Sequence, residues 1–389
     1  IMNQFYCVVV GGGMVGAASA LSLAELGLKI AIIEKSAPKD FTPEQAFDLR
    51  VSAISIASEQ LLKQLDVWQQ LQQWRMCPYE RLGVWESEQS YTEFNATDIK
   101  QTHLGHIIEN RLIQLTLWQK LQQHSNITLL CPETLISIEQ STTDVELTLS
   151  TSIIKAKVVI GADGANSYVR KLMNIGTTGW DYAQSAMLIN VKTEKVQQNI
   201  TWQQFLPSGP LAMLPMPGNY ASLVWYHDKD EIKRLSALSD RHLTQEIMQH
   251  FPERLGKVDV INKAAFPLTR RHANQYHKGR VLLIGDAAHT INPMAGQGVN
   301  LGFKDVKALQ HVIAKAIGNG ESWHEPQVLR RYQQQRRTDN LLMMTTMDAL
   351  YLSFSHISPL AKLARNAGLM MVDKLPNIKN KALAYACGI

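Results

Sequence analysis

Two glycine-rich stretches, far apart in the sequence, combine an acidic side chain with residues that leave the backbone uncovered. The later stretch, GRVLLIGDAAHTINPMAGQGVNLG, spans residues 279–302 and places Asp286 directly after a run of aliphatic residues. An acid at a strand end can accept hydrogen bonds from the hydroxyls of a ribose or ribityl chain. Bare backbone lets a flat ring or a phosphate approach closely. This stretch therefore predicts a ligand that has both parts.

The earlier stretch has the spacing Gly11-x-Gly13-x-x-Gly16 between a strand-like run, FYCVVV, and a helix of small residues. In such a turn the first glycine permits a tight bend, the second lets backbone approach a pyrophosphate, and the third lets the helix sit close to the sheet. Glu34 ends the next strand, eighteen residues after Gly16, where it can accept hydrogen bonds from an adenosine ribose. The unit predicts an FAD or NAD site; an unrelated glycine turn is the alternative.

The residues after Asp286 extend the same interpretation. Pro293 turns the chain, and Gly296 and Gly298 leave main-chain N–H groups uncovered. Val299 and Asn300 then start a helix, whose positive end stabilises negative charge. A reduced flavin carries such a charge at its pyrimidine edge. An ordinary joint between a strand and a helix is the alternative.

Histidines offer few further candidates. His289 is a candidate acid or base by identity, or else a hydrogen-bonding element of its turn. His103, His106 and His272 are interpreted as surface or packing residues. Because the spacing of histidines and acids does not resemble a metal-ligand pattern, we predict no metal site.

A third motif, GADGANSYVR, covers residues 161–170 and again follows an aliphatic strand. Asp163 and Arg170 have two interpretations that the sequence leaves open. They can connect parts of the cofactor-binding domain, or they can face the pyrophosphate.

Composition narrows the class of protein. The 389 residues are 45% hydrophobic and carry a net charge of +5, with basic residues interspersed rather than clustered, which argues against nucleic-acid binding. The four cysteines are widely spaced and favour a reducing compartment. No leader peptide and no membrane-spanning segment are predicted. The expected location is the cytoplasm, and a peripheral association with the inner membrane is compatible with it.

The order of elements predicts an α/β protein. We expect a Rossmann-like, FAD-binding domain with a parallel sheet and a ββα-type insert, a mostly antiparallel β-sheet substrate domain, and C-terminal helices. The predicted boundaries are 1–75, 100–181 and 269–330 for the discontinuous FAD-binding domain, 76–99 and 182–268 for the substrate domain, and 331–389 for the helical segment.

Two apolar regions allow more than one interpretation. In the middle of the chain, alternating residues form a core face or line a pocket: Trp202, Phe205, Leu211, Met213, Leu214, Met216, Leu223 and Trp225. In the tail, apolar helical residues form a packed helix or an interfacial one flanked by cations: Lys362, Arg365, Lys374, Lys379 and Lys381.

The three motifs together, in this order and spacing, resemble the group A flavoprotein monooxygenases of the para-hydroxybenzoate hydroxylase type. Within that group, HTINPMAGQGVNLGFKD is similar to the signature of the ubiquinone-biosynthesis hydroxylases. The resemblance extends over the whole chain, including DLRVSAIS, ENRLIQLTLW and FPLTRRHA.

The resemblance implies FAD as the cofactor and assigns site residues by position. It assigns two groups of residues to the binding of FAD and one proline to the side on which oxygen reacts. On the ADP half it implies Gly11, Gly13, Gly16 and Glu34, with the backbone of Leu135 near the adenine, and it adds Met14, Val15, Lys35 and Asp163 as further cofactor-binding residues. Towards the ribityl chain and ring it implies Arg50, Arg111, Asp286, Gly296, Gly298, Val299 and Asn300, with Pro293 on the oxygen side.

The implied reaction is hydroxylation of a prenylated benzoquinol with methyl and methoxy substituents. NAD(P)H or another electron donor would reduce FAD, and O2 would form a C4a-hydroperoxide that transfers one oxygen atom. Partners implied in the same way are a prenylated quinol substrate, a membrane surface and other ubiquinone-biosynthesis enzymes. Hydroxylation at another ring position, a soluble phenol as substrate and a non-catalytic FAD-binding subunit are the alternatives.

Overall fold

The protein is described from a computed structural model that covers residues 3–291, 298–355 and 359–389. Its strands form two large sheets and one small sheet, with helices packed on their faces. The predicted α/β class is confirmed, with parallel and antiparallel sheets and C-terminal helices. Strands and helices are numbered below in chain order.

The first sheet has a parallel centre in the order β17-β18-β11-β1-β2-β8. Neighbouring strands pair in parallel from β18 to β8, whereas β17 pairs antiparallel with β18, and β9 and β10 form an antiparallel extension on β11. Its strands are β1 (Asn3–Val10), β2 (Ile30–Ile33), β8 (Ile127–Leu130), β9 (Leu135–Gln140), β10 (Val145–Leu149), β11 (Ile153–Gly161), β17 (His277–Lys278) and β18 (Val281–Leu283).

The second sheet is antiparallel except for one parallel pair, β13 with β5, and has the order β19-β16-β12-β15-β14-β13-β5-β6. Its strands are β5 (Arg81–Trp85), β6 (Thr92–Asn95), β12 (Thr177–Thr193), β13 (Ile200–Gln204), β14 (Leu211–Met216), β15 (Tyr220–Asp228), β16 (Val258–Ala273) and β19 (His289–Thr290). The small third sheet contains β3 (Val51–Ser55), β4 (Cys77–Tyr79) and β7 (Gly105–Glu109).

Eleven α-helices are seen in the described ranges. They are α1 (Met14–Ala24), α2 (Ile56–Gln64), α3 (Trp68–Trp74), α4 (Asn110–Gln123), α5 (Tyr168–Leu172), α6 (Lys229–Ser236), α7 (Asp240–His250), α8 (Gly298–Gly318), α9 (Pro326–Ser355), α10 (Pro359–Lys374) and α11 (Pro376–Cys387). In this part of the chain, no helix combines the length and the apolarity needed to cross a bilayer.

The core lies where α1 packs between the first sheet and helices α4 and α8. Cys7, Val8 and Val9 of β1 are fully buried, as a strand covered on both faces requires. Small residues on α1, such as Ala17 and Ala18, are also fully buried and let the helix approach the sheet closely. This packing fixes the start of α1 at the ends of β1 and β11.

Two features of the secondary structure bear on the predicted helix over residues 56–74 and on the predicted domain boundaries. The helical pattern over residues 56–74 divides into α2 and α3, because Asp66 between them has a left-handed backbone conformation with φ of 57°. The long strands β12 and β16 extend beyond the predicted boundaries at 181 and 269. The domain boundaries therefore stay a prediction.

Candidate active site

The first glycine turn connects β1 to α1 and leaves no room for side chains at two positions. Gly11 has φ of 105°, and a Cβ atom there would lie 2.3 Å from the carbonyl oxygen of Ala162. A Cβ atom on Gly16 would lie 1.9 Å from the carbonyl oxygen of Gly11. Only glycine fits at both positions, so α1 begins directly against the ends of β1 and β11.

The start of α1 is open towards a cavity. Gly13 precedes the helix without any side-chain cap, and a Cβ atom built on it would meet no protein atom within 4 Å. The first amide groups of a helix have no partner inside the helix and carry partial positive charge. An anion in this cavity would therefore be stabilised by the start of α1.

Glu34 connects the end of β2 to this turn. Its Oε2 atom accepts a hydrogen bond of 2.7 Å from the Gly12 amide, and its Oε1 atom accepts one of 2.7 Å from the Lys35 amide. Carboxylate oxygens accept more than one hydrogen bond each, so Glu34 still has acceptor capacity towards the cavity that it lines.

The nucleotide cavity, as we call it, has a volume of about 760 Å³. Six of the predicted cofactor residues line it together: Gly11, Gly13, Glu34, Lys35, Leu135 and Asp163. Its lining comes from the ends of β1 and β2, the segment after β11 and the start of β9.

The carboxylate of Asp163 is occupied by the following helix. Its Oδ2 atom accepts hydrogen bonds from the Tyr168 and Val169 amides, at 2.7 and 3.0 Å, and its Oδ1 atom accepts one from the Ser167 hydroxyl. Arg170, which is buried, donates to the carbonyl oxygens of Ala165 and Ala287. These contacts match the connecting interpretation of the motif.

A second cavity of about 350 Å³ joins the two glycine stretches, and we call it the joining cavity. Gly13, together with Met14 and Val15 at the start of α1, lines it from the first glycine turn, whereas Gly298 and Val299 line it from the start of α8. It shares Gly13 with the nucleotide cavity. The two stretches, nearly three hundred residues apart in the sequence, therefore meet in one elongated cleft.

Asp286 and Arg50 both line the joining cavity. Asp286 lies in a short 3-10 turn, Gly285–Ala287, directly after β18, and its side chain is exposed to the cavity. Desolvation inside the cleft raises the pKa of the Asp286 carboxyl, while the positive charges of His289 and Arg50 act in the opposite direction.

Asn300 holds the start of α8 in place. Its side-chain oxygen accepts hydrogen bonds from the Ser55 amide and the Ser58 hydroxyl, and its nitrogen donates to the Ala53 carbonyl at 2.8 Å. Asn300 is buried. It therefore connects α8 to the corner between β3 and α2, next to the joining cavity.

Arg111 is bound to the loop before β3. Its guanidinium donates to Asp48 at 2.8 Å and to the carbonyl oxygens of Lys39 and Asp40. These partners occupy much of the hydrogen-bonding capacity of the Arg111 guanidinium. The contact of Arg111 with the cofactor stays a prediction.

The sequence interpretation missed one face of α4. Gln114 and Trp118 each donate a side-chain hydrogen bond to the Gly12 carbonyl oxygen, at 2.8 and 2.7 Å, and Asn110 lines the joining cavity. These three residues follow each other at a spacing of four, which places them on one face of a helix. That spacing was the available signal, since it brings three N–H-bearing side chains towards the glycine turn.

His289 lies in the interior rather than at the cavity wall. Its side chain is 1% exposed, and Nε2 donates a hydrogen bond of 2.5 Å to Asp305 of α8. Asp305 also accepts a hydrogen bond from the Gly285 amide. This geometry fits the interpretation of His289 as a hydrogen-bonding element of the turn. Pro293 and Gly296, the other predicted site residues in this stretch, lie outside the described residues.

A third cavity of about 660 Å³, the sheet cavity, continues from the joining cavity towards the second sheet. Both cavities share Arg50, Val51, Asn110 and Asp286. The wall opposite is apolar, with polar residues at its edge. It is lined by Leu188, Leu214, Val224, Tyr226, Phe266 and Pro267, and at the edge by Asp181, Lys229, Thr269 and Arg271.

Most of the eight apolar residues that the sequence offered as core or pocket residues do not line the sheet cavity. Leu214 lines the sheet cavity, as the pocket interpretation expected. The other face of the same strands belongs to a buried core cluster that includes Trp202, Leu211, Met213, Leu223 and Trp225. Strand alternation separates the two faces, so the neighbours Val224 and Tyr226 line the cavity.

The joined cavities agree with the comparisons with known proteins. Residues 5–344 match the family described as FAD binding domain, and the chain belongs to this family. It is 47% identical over 382 residues to the 3-demethoxyubiquinol 3-hydroxylase of Escherichia coli, covering 98% of each chain. It is 35% identical to the ubiquinone hydroxylase UbiL of Rhodospirillum rubrum, covering 98% of this chain and 89% of that one.

Solved structures support the fold. The crystal structure of p-nitrophenol 4-monooxygenase PnpA from Pseudomonas putida matches with a TM-score of 0.78 at 19% identity, covering 98% of this chain and 97% of that chain. The predicted resemblance to group A flavoprotein monooxygenases is confirmed, and the chain is an FAD-dependent monooxygenase.

The residues present fit FAD. The cleft is long, with three cavities that share wall residues, and the start of α1 is uncapped at the point where a pyrophosphate would lie. The space above Gly13 is free of protein atoms, whereas Gly11 and Gly16 are closely packed. A dinucleotide needs this combination of closed turn and open backbone.

Proposed function

We propose that this chain hydroxylates a prenylated benzoquinol intermediate of ubiquinone biosynthesis, with O2 as the oxygen source. The single observation that carries the proposal is the sheet cavity, which shares Arg50 and Asp286 with the FAD-sized cleft and has an apolar opposite wall. The relatives named as a 3-demethoxyubiquinol 3-hydroxylase and a ubiquinone hydroxylase support a quinol as substrate.

The nucleotide cavity would hold the ADP part of FAD. The amides at the start of α1, from Gly13 to Gly16, would stabilise the pyrophosphate, and Glu34 would accept hydrogen bonds from the ribose. Lys35 and Leu135 line the same cavity near the position of the adenine. We assign Asp163 to positioning this wall, because its carboxylate binds the start of α5.

The joining cavity would hold the ribityl chain and the ring system. Asp286 would accept hydrogen bonds from ribityl hydroxyls, and Arg50, Gly298 and Val299 would surround the ring. When bound and reduced, FAD supplies the activation of O2 for transfer of one oxygen atom to an electron-rich ring. NAD(P)H or another reduced compound would be the electron donor.

The chain's own contribution is to orient the substrate and exclude water. Leu188, Leu214 and Phe266 provide an apolar wall against which a substituted quinol ring can pack. Thr269 and Arg271 lie at its polar edge, where ring hydroxyls can form hydrogen bonds. A quinol ring is already electron-rich, so the proposal requires no strong base beside it.

Contact with a membrane forms part of the proposal, since a polyprenyl chain resides in the bilayer. Large apolar side chains on α10 and around α11 are exposed, among them Leu363 at 68% and Met371 at 66%. Lys362 and Lys374 are exposed on the same helix, α10, whereas Lys379 of α11 lies with its Nζ atom 5.4 Å from the centre of the Phe94 ring. Arg365 is excluded from this surface, because it forms a largely buried ion pair with Glu86 at 2.6 Å.

Vesicle binding tests this surface. We expect wild-type protein to bind vesicles that contain phosphatidylglycerol, and the double variant Leu363→Glu, Met371→Glu to bind at least tenfold more weakly. Val196→Glu is the matched control, because Val196 is 78% exposed and lies outside α10 and α11. Equal binding by both variants would remove α10 from the membrane surface, and co-purification with other enzymes of the pathway would indicate a complex instead.

The reaction itself is tested by lipid extraction from a strain that lacks this gene. We expect a quinone intermediate to accumulate that lacks one ring substituent derived from a hydroxyl group. The wild-type gene should restore the final quinone. An intermediate that lacks a different substituent would assign hydroxylation at another ring position. Unchanged quinones would point to a soluble phenol, and a purified protein that cannot be loaded with FAD would favour a non-catalytic subunit.

A further inference from the structure

Glu59, His103 and His106 form a compact cluster away from the FAD cleft. One ligand atom from each of the three residues lies within 4.8 Å of the others. Glu59 belongs to α2, His106 to β7, and His103 to the segment just before β7. The cluster therefore joins two elements that are distant in the sequence.

The atoms face each other with the geometry of a small cation site. His103 Nε2 lies 2.6 Å from Glu59 Oε2, and His106 Nδ1 lies 3.4 Å from the same oxygen. In a tetrahedral zinc site with bonds of about 2.0–2.1 Å, neighbouring ligand atoms are about 3.4 Å apart. The 3.4 Å contact already has this length, the 2.6 Å contact would have to widen, and the two histidine ligand atoms lie within 4.8 Å of each other.

A buried nitrogen without a hydrogen-bond partner points into this cluster. His106 is 7% exposed, and within the described chain its Nδ1 atom has no hydrogen-bond partner. Buried polar atoms are rarely left in this state, because the loss of water is uncompensated. Coordination to a cation would satisfy it.

The surroundings fit a metal ligand set. The Thr102 hydroxyl lies 2.9 Å from His103 Nδ1, and a hydrogen bond there orients the ring so that Nε2 faces Glu59. Lys63 binds the other oxygen of Glu59 at 2.6 Å, which leaves Oε2 for the cluster.

We propose that Glu59, His103 and His106 bind one divalent transition-metal ion of the zinc class, with water as the fourth ligand. Two imidazoles and one carboxylate suit zinc better than magnesium or calcium. His103 is 22% exposed on its side chain, so the ion can enter from solvent. Binding would release the proton from His103 Nε2.

The metal would connect α2 to β7 at the corner that supports the cleft. Ser55 and Ser58, at the start of α2, hold Asn300 at the start of α8. A connection between α2 and β7 would therefore stabilise the protein without contact with FAD. Its expected role is structural.

The test uses untagged, FAD-loaded, full-length protein after treatment with a chelator. Titration with Co²⁺ should produce the visible absorption of a tetrahedral site, and Zn²⁺ should bind one ion per chain and raise Tm by about 2–4 °C. His103→Ala and Glu59→Gln should weaken Zn²⁺ binding at least tenfold and abolish the Tm shift. His242→Ala, at an exposed histidine elsewhere, should behave as wild type.

Two results would overturn the proposal. One is a wild-type protein that neither binds Zn²⁺ nor changes its Tm, which needs no variant to be conclusive. The other is a His103→Ala protein with normal FAD content and circular dichroism that binds Zn²⁺ as tightly as His242→Ala. Either outcome would leave the cluster as a hydrogen-bonded packing feature.

Discussion

The Nε2 atom of His289 lies 2.5 Å from the Oδ2 atom of Asp305, and the two side chains are at most 1% exposed. The same carboxylate accepts hydrogen bonds from the Gly285 amide and from Arg336 Nε, at 3.0 and 2.8 Å. Burial opposes ionisation, but the charges of His289 and Arg336 hold the pKa of Asp305 at about 2. One buried charge thus connects the turn that carries Asp286 to α8 and α9.

Replacing Asp305 with asparagine should destabilise the protein strongly. Arg336 would remain buried without its main charged partner, which typically costs about 3–5 kcal/mol. Urea unfolding of the two proteins measures the difference. Asp339→Asn is a matched control, because Asp339 pairs with the same arginine at 3.0 Å but is 60% exposed, and should cost less than about 1 kcal/mol. Equal stability of both variants would contradict the role of Asp305.

Gly13 and Gly16 should respond differently to alanine. In Gly13→Ala the new methyl group meets no protein atom, so the unfolding free energy of the FAD-free protein should stay within about 0.5 kcal/mol of wild type. The methyl group would instead occupy the position of the pyrophosphate. FAD affinity, measured by fluorescence titration, should fall at least tenfold, about 1.4 kcal/mol.

Gly16→Ala provides the contrast to that variant. Its Cβ atom would lie 1.9 Å from the Gly11 carbonyl, so the FAD-free protein itself should lose about 1–3 kcal/mol of stability. The assignment of the nucleotide cavity to FAD is wrong if Gly13→Ala binds FAD normally.

Asp286→Ala should lose both FAD and hydroxylase activity, because ribityl hydroxyls inside the cleft would lack their charged acceptor. The flavin-to-protein absorbance ratio after purification measures this. Asp286→Asn keeps the size and an acceptor oxygen, so it should retain more FAD than the alanine variant. A preparation of Asp286→Ala with stoichiometric FAD would remove Asp286 from the site.

His272 should make the stability depend on mildly acidic pH. Burial, together with the positive charge of Arg337, lowers the pKa of His272 from 6.5 to about 4. The unfolded chain therefore binds the proton more readily, and stability that is present above pH 6.5 should be lost as pH falls towards about 4. The neutral Nε2 atom lies 2.9 Å from the Tyr276 hydroxyl, and protonation would remove its capacity to accept that hydrogen bond.

Thermal unfolding at about pH 7 and about pH 5 tests this expectation. His272→Gln cannot take up a proton, so its Tm should fall less between the two conditions than that of wild type. His242→Gln changes an exposed histidine and should follow the wild-type curve. A pH dependence that is identical in all three proteins would exclude His272 as the group responsible.

Local spacing explains what the sequence could predict. Glycine conformations, the acid after β2 and the acid after β18 follow from a few neighbouring residues, and the strand ends then bring them together. Arg111 and Asp163 were harder to predict, because their hydrogen bonds run to loop residues and to the start of α5. Glu59 and His103, forty-four positions apart, meet only through the packing of α2 beside β7.

The short strand β19 contains His289 and Thr290, follows directly on the turn of Asp286, and pairs with Arg271 and His272 at the end of β16. Phe266 and Pro267, farther back along β16, line the sheet cavity. Strand β16 and its hydrogen-bonded partner β19 thus connect the proposed substrate wall to the turn that carries Asp286. The visible absorbance spectrum of bound FAD should therefore change when a ligand occupies the sheet cavity. Absorbance difference spectra would then be a direct assay for ligands of this enzyme.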